Sequence, residues 1–248
     1  YLLVALSLIP QLVVIYTSFL ETNGAVFTGG YSLESYTTIF SSLGTAISNT
    51  YLYSTAAILI IVFLGMTVAY LTTRRKSLLT DIIDTLTMFP YIIPGSVLGI
   101  TLLLAFNEEP LLLSGTALII IISLVIRRLP YTLRSSSAIL YQISPSIEEA
   151  SISLGASPLK TFFKVTAVMM LPGVMSGAIL SWITAINELS SSVILFTGAT
   201  KTMSVAIYTE VIRASYGTAA ALSTILTLTT IAAMLIFFRV SGSRDVTL

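Results

Sequence analysis

Glu188 sits in the run Asn187-Glu188-Leu189-Ser190-Ser191-Ser192, which crowds carboxylate, amide and hydroxyl oxygens together. Oxygen donors of this kind suit a hard cation. The plainer alternative is a solvated glutamate capping a loop. Glu148-Glu149-Ala150-Ser151-Ile152-Ser153-Leu154-Gly155 is a second polar run, set in apolar surroundings. The segment Gly198-Ala199-Thr200-Lys201-Thr202 is superficially similar to a phosphate-binding loop. Such a loop needs Gly directly before the Lys and another Gly five residues earlier, and those places hold Thr200 and Leu195. No nucleotide site is expected on this chain. The sequence has no cysteine and no histidine, which excludes thiol nucleophiles, imidazole bases, disulfides and His or Cys metal sites. Neither a catalytic residue nor a permanent metal is expected, and no cofactor.

The elements that position these residues follow from composition. The chain is 55% hydrophobic and 9% charged, whereas soluble domains carry about 25% charged residues. Uncharged stretches run from Tyr1 to Leu20, Ser35 to Thr73, Thr85 to Asn107, Pro110 to Ile126, Val165 to Asn187 and Ala214 to Phe238. A hydrocarbon core of about 30 Å needs roughly 20 helical residues, and nothing alternates as a membrane barrel strand would. The expected fold class is an all-α membrane protein of about six spans, near 1–19, 51–72, 85–106, 110–127, 165–187 and 217–238. The Gly-rich segment 20–50 becomes an outer loop, and a short helix is expected around 203–213. No internal repeat appears, so 1–248 reads as one domain with its core at about 45–240. The opening at Tyr1, with no methionine, basic leader or cleavage site before the first apolar stretch, reads as part of a longer chain.

Orientation follows from the basic residues. Arg74, Arg75, Lys76, Arg127, Arg128, Arg134, Lys160, Lys164, Arg239 and Arg244 fall on one side of this arrangement, and Lys201 and Arg213 on the other. The positive-inside rule makes the first side cytoplasmic, with both termini of the chain there. Measured from Lys164, Glu188 lies 24 residues further on, roughly 36 Å along a helix and near the outer interface.

The loop 144–164 carries a full set of helix signals. Ser144 followed by Pro145 is a start, with Ser146 and Glu149 offering an alternative capping box, and Gly155 is a stop. Ser157 and Pro158 start a second helix that continues into the fifth span. Ile147, Ala150, Ser151 and Leu154 share one face at helical spacing and need a partner, while Glu148 and Ser153 lie on other faces. An interfacial helix and a docking helix for a soluble partner are both open. A DNA-reading helix-turn-helix is excluded, because its second helix continues into the membrane, and no nucleic-acid partner is expected. Pro90, Pro94, Gly95 and Gly99, and Pro172, Gly173 and Gly177, read as kinks and close-packing points or as flexure around a path. Asp81 and Asp84 suit a helix N-terminus at the inner mouth of the third span.

The run "EEASISLGASPLKTFFKVT" resembles the EAA loop of permease subunits of binding-protein-dependent ABC importers with the type I, maltose-permease-like fold. Glu149, Ala150, Ser151 and Gly155 match its core, and Val165 stands where that family has Ile. Leu171-Pro172 comes four residues later than the family's Leu-Pro. "FPYIIPGSVLGITLLLAFN", "RRLPYTLRSS" and "NELSSSVILFTG" are similar to the ferric-iron branch, whose permeases fuse two halves, and this chain is similar to the second half. The resemblance implies a multi-pass permease of a bacterial cytoplasmic membrane that imports ferric iron, or else phosphonate, sulfate, thiamine or a polyamine. It implies a cytoplasmic ATPase dimer holding ATP and Mg, a second permease half, and an external solute-binding protein as partners, besides the lipid bilayer. Glu148, Glu149, Ala150, Ser151, Leu154 and Gly155 would couple to the ATPase, and Glu188 with Asn187 would line the substrate path. An ion-gradient-driven transporter would need paired ionisable groups inside the spans, and the expected spans contain almost none.

Overall fold

The structure is a computed structural model describing residues 2–240. Arg244, counted above among the basic residues, lies outside the described residues. Helix α1 (Leu2–Thr17) leads into a hairpin of β1 (Leu20–Asn23) and β2 (Val26–Tyr31), paired antiparallel. Then come α2 (Glu34–Thr38), a π-turn (Ile39–Leu43) and α3 (Gly44–Arg74), which form one helix of 41 residues. The segment expected as an outer loop to residue 50 is therefore mostly helix. Its run from Ser35 is uncharged and has no proline.

Helix α4 (Leu78–Ile92) starts at a reciprocal capping box between Ser77 and Thr80. It is separated from α5 (Gly95–Ala105) by a bend of 110°. The break falls at Ile93-Pro94, because Pro94 has no N–H and forces Ile93 into an extended conformation (φ −70°, ψ 128°). The third span is thus two helices rather than one. Helix α6 (Ala117–Gln142) corrects the fourth: it begins seven residues later than expected and runs on beyond Ile126. Arg127, Arg128 and Arg134 lie within this helix, not in a cytoplasmic loop, so the first two leave the tally that set orientation.

Next come α7 (Pro145–Ser153), α8 (Pro158–Thr161), a π-turn (Phe162–Thr166) and α9 (Ala167–Ile186). The short α10 (Ser192–Leu195) precedes α11 (Met203–Ile212), the short helix expected there, and α12 (Tyr216–Val240). Among the described residues three helices are long and apolar enough to cross a membrane, Glu34–Arg74, Pro158–Ile186 and Tyr216–Arg239, and the bent α4–α5 pair is a fourth if its two helices count as one span rather than a re-entrant loop. The expected six are not all found among the described residues: the apolar part of α1, Ala5–Thr17, is short, and α6 carries three arginines.

Helices α3, α6 and α9 form the centre. One cluster joins Tyr53, Ala57 and Ile61 of α3 to Ile119, Ile120 and Leu124 of α6 and Leu102 of α5. Another joins Ala69 to Leu133 and Leu140 and to Met170 and Val174. A third packs α12 and α11 against α9 through Ala221, Leu222, Met203 and Ile186. Helices α6 and α9 approach closely at Gly177, where a Cβ would come within 2.7 Å of the Thr132 Cα and 2.8 Å of the Ser135 Cβ. The contact is sealed by small polar groups: Thr132 and Ser181 hydroxyls lie 2.9 Å apart, and the Ser135 hydroxyl donates to the Gly173 carbonyl at 2.5 Å. Small residues and hydroxyls of this kind replace the hydrophobic drive that helices lack in lipid.

Candidate functional site

Two constellations stand out. The first is the loop around α7. Ser144 accepts from the Ser146 N–H at 3.4 Å with Pro145 at the first helical position, so this start is used and the Ser146 alternative is not. At the other end Gly155 has φ +91°, its N–H donates to the Ile152 carbonyl at 2.9 Å, and the Ala156 N–H donates to the Ser151 carbonyl at 3.2 Å. This pair of bonds is the Schellman ending, which places a left-handed residue where only Gly is unstrained. Ser157 then caps α8 by accepting from the Lys160 N–H at 3.3 Å.

Of the residues of α7 only Glu148 and Ser151 turn inward, and the rest are exposed. Leu154 is 90% exposed and Ile152 47%, and Glu149 and Ala150 are also exposed. Ser151 turns partly inward, its hydroxyl 3.0 Å from that of Thr161 on α8. Glu148 does not share the outward side. It is buried, with one oxygen 3.0 Å from Arg74 Nε and the other accepting from the Tyr70 hydroxyl at 3.1 Å. The resemblance groups it with the residues that couple to the ATPase, whereas here a carboxylate with a cation in reach at the end of α3 is drawn under the helix.

The second constellation surrounds Glu188, which follows α9. Expected at an outer mouth, it is 4% exposed. Its Oε2 lies 3.2 Å from Arg127 Nε and in direct contact with Arg128, while Oε1 accepts from the Ser191 N–H at 3.1 Å. The arginines sit mid-helix in α6, so the glutamate is held at their level. Arg127 also lies against Gly95, the first residue of α5, where any side chain would collide with the guanidinium. The cluster therefore pins the broken span to α6 and to the turn after α9. Its formal charge is positive, and Arg127 Nη1 is buried without a hydrogen-bond partner among the described residues. Asn187 remains exposed, its amide donating to the Ile183 carbonyl at 2.8 Å.

Arg134 on α6 pairs with Asp84 on α4 at 3.1 Å. Sequence reasoning missed Arg74, Tyr70, Arg127 and Arg128 as partners. The signal was present for the α6 pair, since adjacent arginines bordering an apolar run are costly in lipid unless paired. The segment 198–202 is a turn tied to α3, with the Asn49 amide donating to the Ala199 carbonyl at 2.9 Å and the Lys201 carbonyl at 3.0 Å. Carbonyls facing a donor are the reverse of an anion cradle. Among the described residues there is no group of three or more His, Cys, Asp or Glu side chains fit to hold a metal.

Residues 61–244 match the family model described as the inner membrane component of binding-protein-dependent transport systems. The chain is 33% identical over 198 residues to the ferric transport system permease protein FbpB of Actinobacillus pleuropneumoniae, covering 80% of this chain and 29% of that protein. It is 32% identical over 154 residues to the molybdate/tungstate transport system permease protein WtpB of Pyrococcus abyssi, covering 60% and 59%. A putative 2-aminoethylphosphonate transport system permease protein of Salmonella typhimurium is 30% identical over 61% of this chain and 57% of its own length. The chain thus spans under two thirds of each of these relatives. Among solved structures, a bacterial alginate ABC transporter in complex with an alginate-bound periplasmic protein superposes with TM-score 0.72 at 15% identity, over 95% of this chain and 88% of that one. The inward-facing MetNI methionine ABC transporter superposes with TM-score 0.64 at 16% identity, over 85% and 97%.

Proposed function

We propose, from the premise that this chain belongs to the inner membrane component family of binding-protein-dependent transport systems, that it forms half of the translocation path of an ATP-driven importer. The observation that carries this reading is the outward-facing α7, with Leu154 and Ile152 bare and a Schellman turn fixing its end. Such a helix fits a groove on a cytoplasmic ATPase subunit. The ATPase dimer binds ATP and Mg and does the hydrolysis, while this chain supplies no catalytic group. A second permease half completes the path, and an external binding protein delivers the cargo. The loop end of the molecule, with Arg75, Lys76, Lys160 and Lys164, faces the cytoplasm of a bacterial inner membrane. Closure of the ATPase dimer draws the two α7 helices together and turns the path outward by rigid-body motion.

The cargo is ferric iron, supported by the FbpB relatives at 33% and 32% identity. One specific observation favours a second reading, a small oxyanion. Glu188 is neutralised by two arginines, so the cluster repels a bare cation, and the molybdate/tungstate and phosphonate relatives stand beside the ferric ones. Purification of the full-length complex in mild detergent, with mass spectrometry of the co-purifying chains, is expected to find an ATPase. Competing uptake of labelled ferric iron and labelled molybdate into proteoliposomes then separates the cargoes. A preparation with no ATPase and no ATP-dependent uptake of either would refute the importer reading.

A further inference from the structure

Helix α7 is joined to the bundle by non-helical residues at both ends. Ile143 before it is extended (φ −86°, ψ 120°), and Gly155 after it is left-handed (φ +91°). A helix between two such pivots passes on a push only if something ties it sideways. The only ion pair it makes among the described residues is to Arg74, the last residue of α3. Arg74 Nε donates to Glu148 Oε1 at 3.0 Å, and its Nη2 donates to the Ile143 carbonyl at 2.6 Å, at the C-terminal end of α6. The Tyr70 hydroxyl, one turn back on α3, donates to the other Glu148 oxygen at 3.1 Å. The Arg74 and Glu148 side chains are 13% and 11% exposed, so water competes little for these bonds. One guanidinium therefore joins the ends of α3 and α6 to the side of α7, and it caps the C-terminal end of α6 at the Ile143 carbonyl, where a cation is favoured.

We propose that Arg74 is a positioning residue that clamps α3, α6 and α7 into one moving unit, with Glu148 as its receptor, so that displacement of α7 reaches the bundle through α3. The proposal rests on the importer reading above. Ser151, one turn after Glu148 on the same inward face, ties α7 to Thr161 of α8, but with a single bond between hydroxyls. The planar guanidinium suits the clamp because its separate N–H groups reach two acceptors at once; a lysine ammonium on a flexible stem does not hold that geometry.

The test uses the full-length complex with its ATPase and binding protein in proteoliposomes, reading cargo moved per ATP hydrolysed. Arg74→Leu is expected to keep the ATPase bound and hydrolysing while that ratio falls about fivefold or more. Arg74→Lys recovers part of it. Tyr70→Phe, which removes one hydroxyl and no charge, lowers it about twofold at normal abundance and serves should Arg74→Leu assemble poorly. A purely structural role would lower transport and hydrolysis together, in proportion to the amount of complex. An unchanged ratio in Arg74→Leu and Tyr70→Phe, beside a wild type that couples normally, overturns the clamp alone. A wild type without ATP-dependent transport overturns the importer reading and the clamp with it.

Discussion

Replacing Glu188 by Gln removes one negative charge and hardly changes the side chain's shape. Both arginines then lose their counter-charge in a site where the glutamate side chain is 2% exposed and those of its partners 17% and 12%. At 3.2 Å and an effective dielectric of 20, the attraction between Glu188 and Arg127 is about 5 kcal/mol. Part of that is offset by the water both groups gave up, and breaking a buried pair by removing one partner costs about 3–5 kcal/mol. The new amide N–H would also point at guanidinium donors. Glu188→Gln is therefore expected to lower the thermal midpoint of the detergent-purified protein and its abundance in the membrane, and to reduce uptake only in step with abundance. A triple replacement of Arg127, Arg128 and Glu188 by Leu should recover most of the stability, because an apolar isostere of a buried ion cluster is often neutral or better. A Glu188→Gln protein that is as stable and abundant as wild type, yet slow in uptake, would refute this reasoning. It would mean that the carboxylate meets the cargo and not the arginines.

At Gly155, Val would strain the left-handed turn by about 1 kcal/mol or more; Gly155→Val and Glu149→Lys should both weaken ATPase pull-down while the protein still reaches the membrane. Gly177→Ala drives a methyl into the backbone of Thr132 and is expected to cost about 1–3 kcal/mol, read as a lowered thermal midpoint. Arg134→Ala breaks a pair that is 52% and 33% exposed, and the same melting assay should move by no more than about 1 kcal/mol. Because the chain has no cysteine, single cysteines label without background: one at Asn23 should react with an impermeant reagent in intact cells, and ones at Ser77 or Ser153 only after permeabilisation.

The chain's helical, membrane-spanning character was legible because apolar run length and missing charge report directly on lipid burial. Ser144-Pro145, Gly155 and Ser157-Pro158 were legible because caps are local: each bond joins residues within a turn or so of one another. The limits of the spans were not. Counting apolar residues ends a helix at its first arginine, whereas α6 passes through Arg127, Arg128 and Arg134 because Glu188 and Asp84 neutralise them from 50 or more residues away. The same blindness put Glu188 at an open mouth and left Glu148 without the Arg74 that holds it. Helical periodicity sorts residues by face, but it does not say which face a distant cation will claim. Pro94 was visible as a kink or packing point, yet the size of the bend depends on how α5 packs on Ser191 and Ile194, which no local signal carries.

The helix from Glu34 to Arg74 is unbroken over 41 residues, about 60 Å at 1.5 Å per residue. A hydrocarbon core is about 30 Å thick, so about half of that length is available for tilt or lies beyond the lipid. The helix is a lever whose short end is held at Arg74. A rotation of one degree about that end sweeps the Glu34 end through about 1 Å, the scale on which a close-packed interface loses its fit. Angular play of a few degrees at the Arg74 end would thus arrive beside the hairpin as several ångströms of travel.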